Sequence, residues 1–252
     1  MAATGVRLTF EHGTPVRLLY SRDNDIPPFI AGDYLSGING QGADGCTAGI
    51  PVEDSAGNDY LITANHCFYA DTWVYTANGT TEVGYPDRYN DAIDAERINT
   101  LTSNGLGSLA IEGNNNAGGT IAGYPIVGNT PSWPVGMDIC QNGISSYDNA
   151  GRVPCNITIV GTGQFYACPV PNGSCQTITE EKTQSVNGTW ITEPGDSGAL
   201  VFTIYQSTER EALGMVDGGA NCSGSSLSCT TMFFVLARAI YAGLGVHLNP
   251  YG

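Results

Sequence analysis

Eight cysteines constrain this chain more than any other feature: Cys46, Cys67, Cys140, Cys155, Cys168, Cys175, Cys222 and Cys229. No Cys-x-x-Cys pair occurs, and only His12, His66 and His247 accompany them. A zinc site is therefore not expected, and no metal or other cofactor is. An even set of cysteines reads as disulfides, which persist in oxidising compartments. Order along the chain suggests four local loops, 46–67, 140–155, 168–175 and 222–229. The expected location is secreted, outside the cell. The opening residues Met1 to Arg7 lack the apolar centre of a signal peptide, so the sequence reads as a mature form or a trimmed one with an added Met.

Between the cysteines, strand signals dominate. Leu61–Ala64, Thr72–Tyr75, Ile157–Val160, Ala199–Tyr205 and Met232–Phe234 are short, apolar and rich in β-formers. Gly, Asn, Asp and Pro clusters separate them. Gly105-Leu106-Gly107, Gly113 to Gly119 and Ser223 to Ser228 read as loops. Helical character is expected only in Val235 to Gly243, with Gly243 as its stop. Such a pattern points to an all-β sandwich or barrel. The weak division near Gly118 to Pro125 sets residues 1–122 apart from 123–252.

Charge removes several function classes. The net charge is −15, yet charged residues are only 13 % of the chain, so the acidity comes from scarce bases. Lys182 is the single lysine. A nucleic-acid partner needs a basic patch, and the material for one is missing. No apolar run reaches the roughly 18 residues of a membrane span. At 41 % hydrophobic, the chain also differs from a disordered acidic tail. Five Asn-x-Ser/Thr triplets, at Asn78, Asn156, Asn172, Asn187 and Asn221, are a weak glycosylation signal.

Two motifs carry chemistry. In Leu61-Ile62-Thr63-Ala64-Asn65-His66-Cys67 an apolar strand runs into a histidine beside a cysteine that tethers it. In Glu193-Pro194-Gly195-Asp196-Ser197-Gly198-Ala199 glycines flank a serine and permit a tight turn. That turn can aim the N–H groups of Gly195 and Ser197 at one point, where an oxyanion would develop. Each motif alone also fits a plain strand end or a plain turn.

Together they resemble the chymotrypsin-like serine proteases, and in particular the secreted bacterial branch of streptogrisins and α-lytic protease. The family's ordered signatures are Thr-Ala-x-His-Cys, an Asp entering a strand, and Gly-Asp-Ser-Gly. Here they are Thr63 to Cys67, a middle acid, and Gly195 to Gly198. Cys46-Thr47-Ala48-Gly49-Ile50, the Cys140 to Cys155 loop, Asp217-Gly218-Gly219-Ala220-Asn221-Cys222 and the final helix add to the likeness. It spans about residues 23 to 248. The resemblance implies an all-β fold of two packed six-stranded antiparallel Greek-key barrels with a short C-terminal helix. The first barrel, within 1–122, would carry the His and Asp; the second, within 123–252, would carry the nucleophile and specificity pocket.

The implied triad is His66, Asp94 and Ser197, with Gly195 and Ser197 as oxyanion hole. Asp91 competes with Asp94, and the polar Glu96 and Arg97 obscure the strand's register. Ile191, Thr192, Glu193, Asp217, Gly218 and Gly219 would bind substrate. Ile191 occupies the base of the primary pocket, where an acid would mark a preference for Lys or Arg, so apolar or small residues are expected. Gly218 and Gly219 would leave the pocket wall open. Three departures stand out. Ala199 replaces a glycine, and Thr192 stands near where relatives have a cysteine, which leaves Cys229 as partner for Cys222. Asp217 stands where a serine usually touches the triad acid. The lead-in Asp25 to Tyr34 lacks the Ile-Val-Gly-Gly start of animal trypsins.

The expected function is that of a secreted, monomeric serine endopeptidase acting on protein or peptide substrates. The alternative is a catalytically inactive homologue that serves as a binding module; further off lies an adhesive β-rich module with coincidental motifs.

Overall fold

Alternation along the strands explains the architecture. The computed structural model describes residues 22–249 except 24–25, 28, 38–44, 71, 78, 101–105, 113–121, 129–132 and 169–174. In chain order the strands begin with β1 (Phe29–Ala31), β2 (Tyr34–Gly37), β3 (Cys46–Thr47), β4 (Pro51–Glu53), β5 (Asp59–Ala64) and β6 (Val74–Tyr75). Then come β7 (Glu82–Asn90), β8 (Ala95–Thr100), β9 (Leu106–Glu112), β10 (Ala122–Val127) and β11 (Asp138–Gln141). Helix α1 (Ile144–Ala150) precedes β12 (Ile157–Ala167), β13 (Gln176–Ser185), β14 (Leu200–Tyr205), β15 (Glu209–Ser223) and β16 (Ser228–Leu236). Helix α2 (Ala237–Leu244) and β17 (His247–Leu248) end the described chain.

The strands form two sheets. β11, β12, β13, β16, β15 and β14 pair antiparallel around a closed ring. Closure removes the exposed edges that would invite aggregation. The second sheet runs β17-β4-β5-β8-β7-β6-β2-β3. It counts eight strands rather than six, partly because β17 returns from the C-terminal end to pair with β4. β10 joins β9 on one side and β15 on the other, so it bridges toward the ring.

Strand β14 shows how the cores are divided. Successive side chains face opposite sides. Leu200 and Phe202 enter the cluster built around Leu61, Ile62, Phe68 and Ile98. Val201 enters the ring's own core with Ile139, Ile157, Leu213 and Phe234. A strand buried on both faces reads as a continuous apolar run, as Ala199 to Phe202 does.

Some local expectations need correction. Leu106 and Gly107 begin β9 and are not loop. Ser223 and Ser228 close a strand and open the next, around a short turn. Thr72 and Trp73 precede the two-residue β6. Helix α2 starts at Ala237, because Val235 and Leu236 still pair with β15. It stops at Gly245, whose φ of 69° supplies the left-handed cap. Gly243 serves packing instead: a β-carbon there would stand 2.7 Å from Asn90 and 2.9 Å from Ile93. Helix α1 was not expected, since Ile-Ser-Ser-Tyr-Asp-Asn-Ala contains few helix formers. Gly113 to Gly119 lie outside the described residues.

One charge is buried deep in this frame. Arg22 has no solvent exposure. Its Nη2 donates to Asn142 O at 2.6 Å, and its guanidinium lies 4.6 Å from the Tyr147 ring. Burial pulls its pKa down to about 10, against the opposing pull of Asp33. It stays charged at neutral pH and ties the lead-in to the 141–144 segment. Removing one partner of a buried charge pair leaves the other uncompensated. Arg22→Ala should therefore lower unfolding free energy by about 3–5 kcal/mol in a denaturant titration. A loss below about 1 kcal/mol, the level of a surface ion pair, would contradict this assignment.

Candidate active site

The site is assembled from backbone contacts before any side-chain chemistry. β5 ends at Ala64, and a turn follows in which Cys67 N–H donates to Ala64 O at 3.0 Å. Asn65 N–H donates to Asp94 O at 2.8 Å, which joins this turn to the start of β8. A single 3₁₀ turn, Asp91–Ile93, leads into Asp94. Asn90 caps it by accepting from Ala92 N–H at 3.1 Å. Asp94 then takes the left-handed conformation, φ 45°. Aspartate is among the few non-glycine residues that tolerate this region.

This geometry points Asp94, not Asp91, at the histidine. His66 Nδ1 lies 2.6 Å from Asp94 Oδ2, and Nε2 lies 2.8 Å from Ser197 Oγ. Asp94 is fully buried, while the histidine side chain is 25 % exposed. Asp91 instead accepts from Asn65 Nδ2 at 2.8 Å, and its carbonyl accepts from Gln176. It braces the residue before His66. The register left open by Glu96 and Arg97 also has a physical reason. Glu96 points inward and is 1 % exposed. Arg97 points outward, donates to both Asp87 oxygens at 2.8 Å and lies over Tyr60.

Ser197 sits in a turn held from within. Asp196 is buried and accepts from Ser146 N at 2.9 Å, Glu193 N at 2.9 Å, Gln141 Nε2 at 3.1 Å and the Ser146 hydroxyl. Burial raises its pKa, and these four donors oppose the rise. Ser146 lies in the first turn of α1, where free N–H groups favour an anion. A β-carbon at Gly143 would collide with the Asp196 carboxylate, so glycine is required there.

The same turn leaves two donors free. Asp196 N–H donates to Glu193 O, Gly198 N–H to Val216 O and Ala199 N–H to Asp196 O. The N–H groups of Gly195 and Ser197 have no acceptor among the described residues. Gly195 (φ 101°) and Gly198 (φ 92°) occupy conformations that other residues rarely adopt.

Thr47 joins the two halves of the site. Its N–H donates to Ser197 O at 2.8 Å, and its hydroxyl donates to Gly195 O at 2.8 Å. The same hydroxyl accepts from Ile144 N–H at 3.1 Å, and the Thr47 carbonyl accepts from Thr63 Oγ1 at 3.1 Å. Its neighbour Cys46 is bonded to Cys67, beside His66. Cys140–Cys155, Cys168–Cys175 and Cys222–Cys229 are bonded as well.

The residues expected to bind substrate are distributed differently from the simple picture. Ile191 is buried in the ring's core. Thr192 bridges to Cys229. The Glu193 carboxylate accepts from Ser228 Oγ at 2.6 Å and from Asn149. Gly218 and Gly219 do not leave an open wall. A β-carbon on Gly218 would stand 2.6 Å from the Phe165 ring, and one on Gly219 would stand 2.6 Å from Cys229 Sγ. The missing side chains admit Phe165 and the disulfide. The Ser197 hydroxyl lies 3.4 Å from the carbonyl of Asp217, whose side chain is buried.

Thr47, Gln141, Ser146, Phe165 and Glu180 were missed as site residues. Glu180 had a faint signal: it shares the inward face of β13 with Ile178. Nothing in the sequence links the others to the serine. Among the described residues no group of three or more His, Cys, Asp or Glu could hold a metal ion.

No protein-family profile matches the chain, and no curated protein sequence does. Solved structures do. Nocardiopsis protease superposes with a TM-score of 0.62 at 22 % identity, covering 87 % of this chain and 98 % of its own. Thermobifida fusca protease A gives 0.62 at 20 % identity, covering 87 % and 97 %. A glutamic-acid-specific serine protease, described as using a histidine triad in substrate binding, gives 0.62 at 18 %, covering 88 % and 100 %. The chain therefore has the chymotrypsin-like two-barrel fold of bacterial serine proteases.

Thr47→Val keeps the volume and removes the hydroxyl. It would leave the Gly195 carbonyl and the Ile144 N–H without that partner. The expected loss is about 1–3 kcal/mol in unfolding free energy, measured by denaturant titration. A neutral substitution would show that the hydroxyl does not join the two halves.

Proposed function

We propose that this chain is a secreted serine endopeptidase that hydrolyses peptide bonds through an acyl-enzyme. The observation that carries the reading is His66, held 2.6 Å from a buried Asp94 and 2.8 Å from Ser197. A serine hydroxyl is a weak nucleophile and needs an adjacent base. In the proposed cycle His66 Nε2 takes the Ser197 proton as Oγ attacks the substrate carbonyl. The carbonyl oxygen gathers negative charge toward the N–H groups of Gly195 and Ser197. The C–N bond then breaks, and His66 returns the proton to the leaving amine. Water repeats the sequence and frees the acid. Asp94 fixes the imidazole tautomer and stabilises the imidazolium.

Substrate preference follows from what the pocket residues offer. Ile191 presents no acid for Lys or Arg. The Glu193 carboxylate is engaged by Ser228 and Asn149. Among the described residues no histidine is left for an acid-binding pocket: His66 is committed to the triad, and His247 lies 3.5 Å from Glu53 at the β4 edge. Phe165 against Gly218 adds an apolar wall. These features favour cleavage after apolar or small residues. Four disulfides support an oxidising compartment, and no helix of the described residues is long and apolar enough to cross a membrane. A protein or peptide substrate and a monomer are part of the same proposal.

Paired substitutions test the assignment. Asp94→Asn should lower kcat on a peptide substrate by about four orders of magnitude, and Asp91→Asn by about tenfold at most, since Asp91 acts through Asn65. Equal losses would contradict the assignment of Asp94. On a panel of peptides differing in the residue before the scissile bond, Phe, Tyr, Leu, Met or Ala should lead. Strong preference for Lys, Arg or Glu would overturn the pocket reading.

A further inference from the structure

Four carboxyl groups are buried together behind the His66–Asp94 hydrogen bond. Asp94 and Asp217 come from the ends of the triad acid's loop and the bulged part of β15; Glu96 lies on β8 and Glu180 on β13. All four are at most 4 % exposed. Six of their oxygens are buried with no hydrogen-bond partner: Asp94 Oδ1, Glu96 Oε1, and both oxygens of Glu180 and Asp217. A buried carboxylate with no donor is costly, and it either finds a donor or keeps its proton.

The backbone explains how two of them meet. β15 and β16 pair through Val216↔Phe234 and Gly218↔Phe233, so Asp217 is the extra residue of a β-bulge. A bulge re-aims its side chain. On the other side of β16, Glu181 pairs with Phe234, which brings the neighbouring Glu180 to the same level. That placement sets the buried Glu180 and Asp217 carboxyls against each other, each acting on the other's ionisation. Two such carboxyls can hydrogen-bond to each other only if one of them carries a proton.

We propose that Asp217 and Glu180 share one proton at neutral pH, and that this pair, standing beside Asp94, positions the triad acid and sets the alkaline limit of activity. The inference rests on the serine endopeptidase reading for its catalytic half alone. Burial raises both groups first of all, and Asp94 adds to the rise in each. Burial, with the Glu180 charge next, holds Asp217 well above its usual range. The surrounding charges give little relief. His66 acts on Glu180, and Arg238 at the start of α2 acts on Glu181. Glu96 faces Asp94, is raised well above its usual range by burial, and accepts from Phe68 N–H. Asp91 is taken up by Asn65.

The direction of the pH effect follows. In acid the pair takes up a second proton and becomes neutral. Near neutrality it carries one negative charge and one hydrogen bond. At high pH it loses the last proton, and two carboxylates face each other and Asp94 with no donor between them. That state pushes Asp94 away from the geometry His66 needs, so kcat/KM should fall on an alkaline limb that belongs to this pair. A serine in place of Asp217 supplies a donor that does not titrate, as does an asparagine.

The experiment compares wild type with Asp217→Asn and Asp217→Ser. Infrared difference spectra of wild type minus each variant at pH 7 should show a protonated carboxyl C=O band, lost in either variant. The alkaline limb of kcat/KM on an apolar peptide should move up by about one pH unit or more in both. The Ser variant guards against poor folding of the Asn variant. No difference band, or an unmoved alkaline limb, would overturn the proposal. If wild-type protein hydrolyses no peptide, the endopeptidase reading falls, and the infrared band still decides for or against the shared proton.

Discussion

Thr47 is the contact on which the site depends. Its backbone and hydroxyl bind the Ser197 turn at Ser197 O and Gly195 O, while its neighbour Cys46 is covalently tied to Cys67 beside His66. A short chain of contacts therefore runs from histidine to serine without passing through either functional group. Gly49 and Gly198 permit it. A β-carbon on Gly49 would strike the Gly198 carbonyl, and one on Gly198 would strike Thr47 O and Thr63 Oγ1. The two barrels approach backbone to backbone, and His66 and Ser197, which follow and precede strands of different sheets, are held at hydrogen-bond distance. Positioning of this kind is paid in folding rather than at the moment of reaction.

Charge is the second theme. The chain has few bases, so buried acids must be satisfied mostly by neutral donors or by retained protons. Asp196 follows the first route, with Ser146, Glu193 and Gln141 as donors. Asp94 has the imidazole on one oxygen only. Arg22 is a buried cation that braces the segment packed against Asp196. The net charge of −15 thus has a local counterpart: the second half of the site is rich in carboxyl groups and poor in cations.

The fold was legible because its signals are local. Apolar runs between Gly and Asn clusters mark strands wherever a sheet covers them, as at Ala199 to Phe202. Helix α1 was not legible, because the sequence Ile144 to Ala150 forms a helix through its docking to Asp196 and its Gly151 cap, which propensity does not register. The histidine and serine turns were visible as motifs. The acid was narrowed to Asp91 or Asp94, and only the left-handed turn at Asp94 separates them in space. Gly218 and Gly219 misled in a different way. A glycine announces room for something, and sequence could not say that Phe165 and Cys229 fill it. Asp217 was noted as out of place, but its partner Glu180 lies 37 positions earlier (217 − 180) on another strand, a pairing that arises only when β13 and β15 meet across β16.

In the proposed mechanism Ser197 is made nucleophilic by His66. A fluorophosphonate probe measures this directly, because it reacts with an activated serine and leaves a fixed mass on the protein. One label per chain is expected at pH 8, mapped to Ser197 by peptide mass, and absent from both Ser197→Ala and His66→Ala. Folded wild-type protein that takes no label, or label that persists after either substitution, would contradict it.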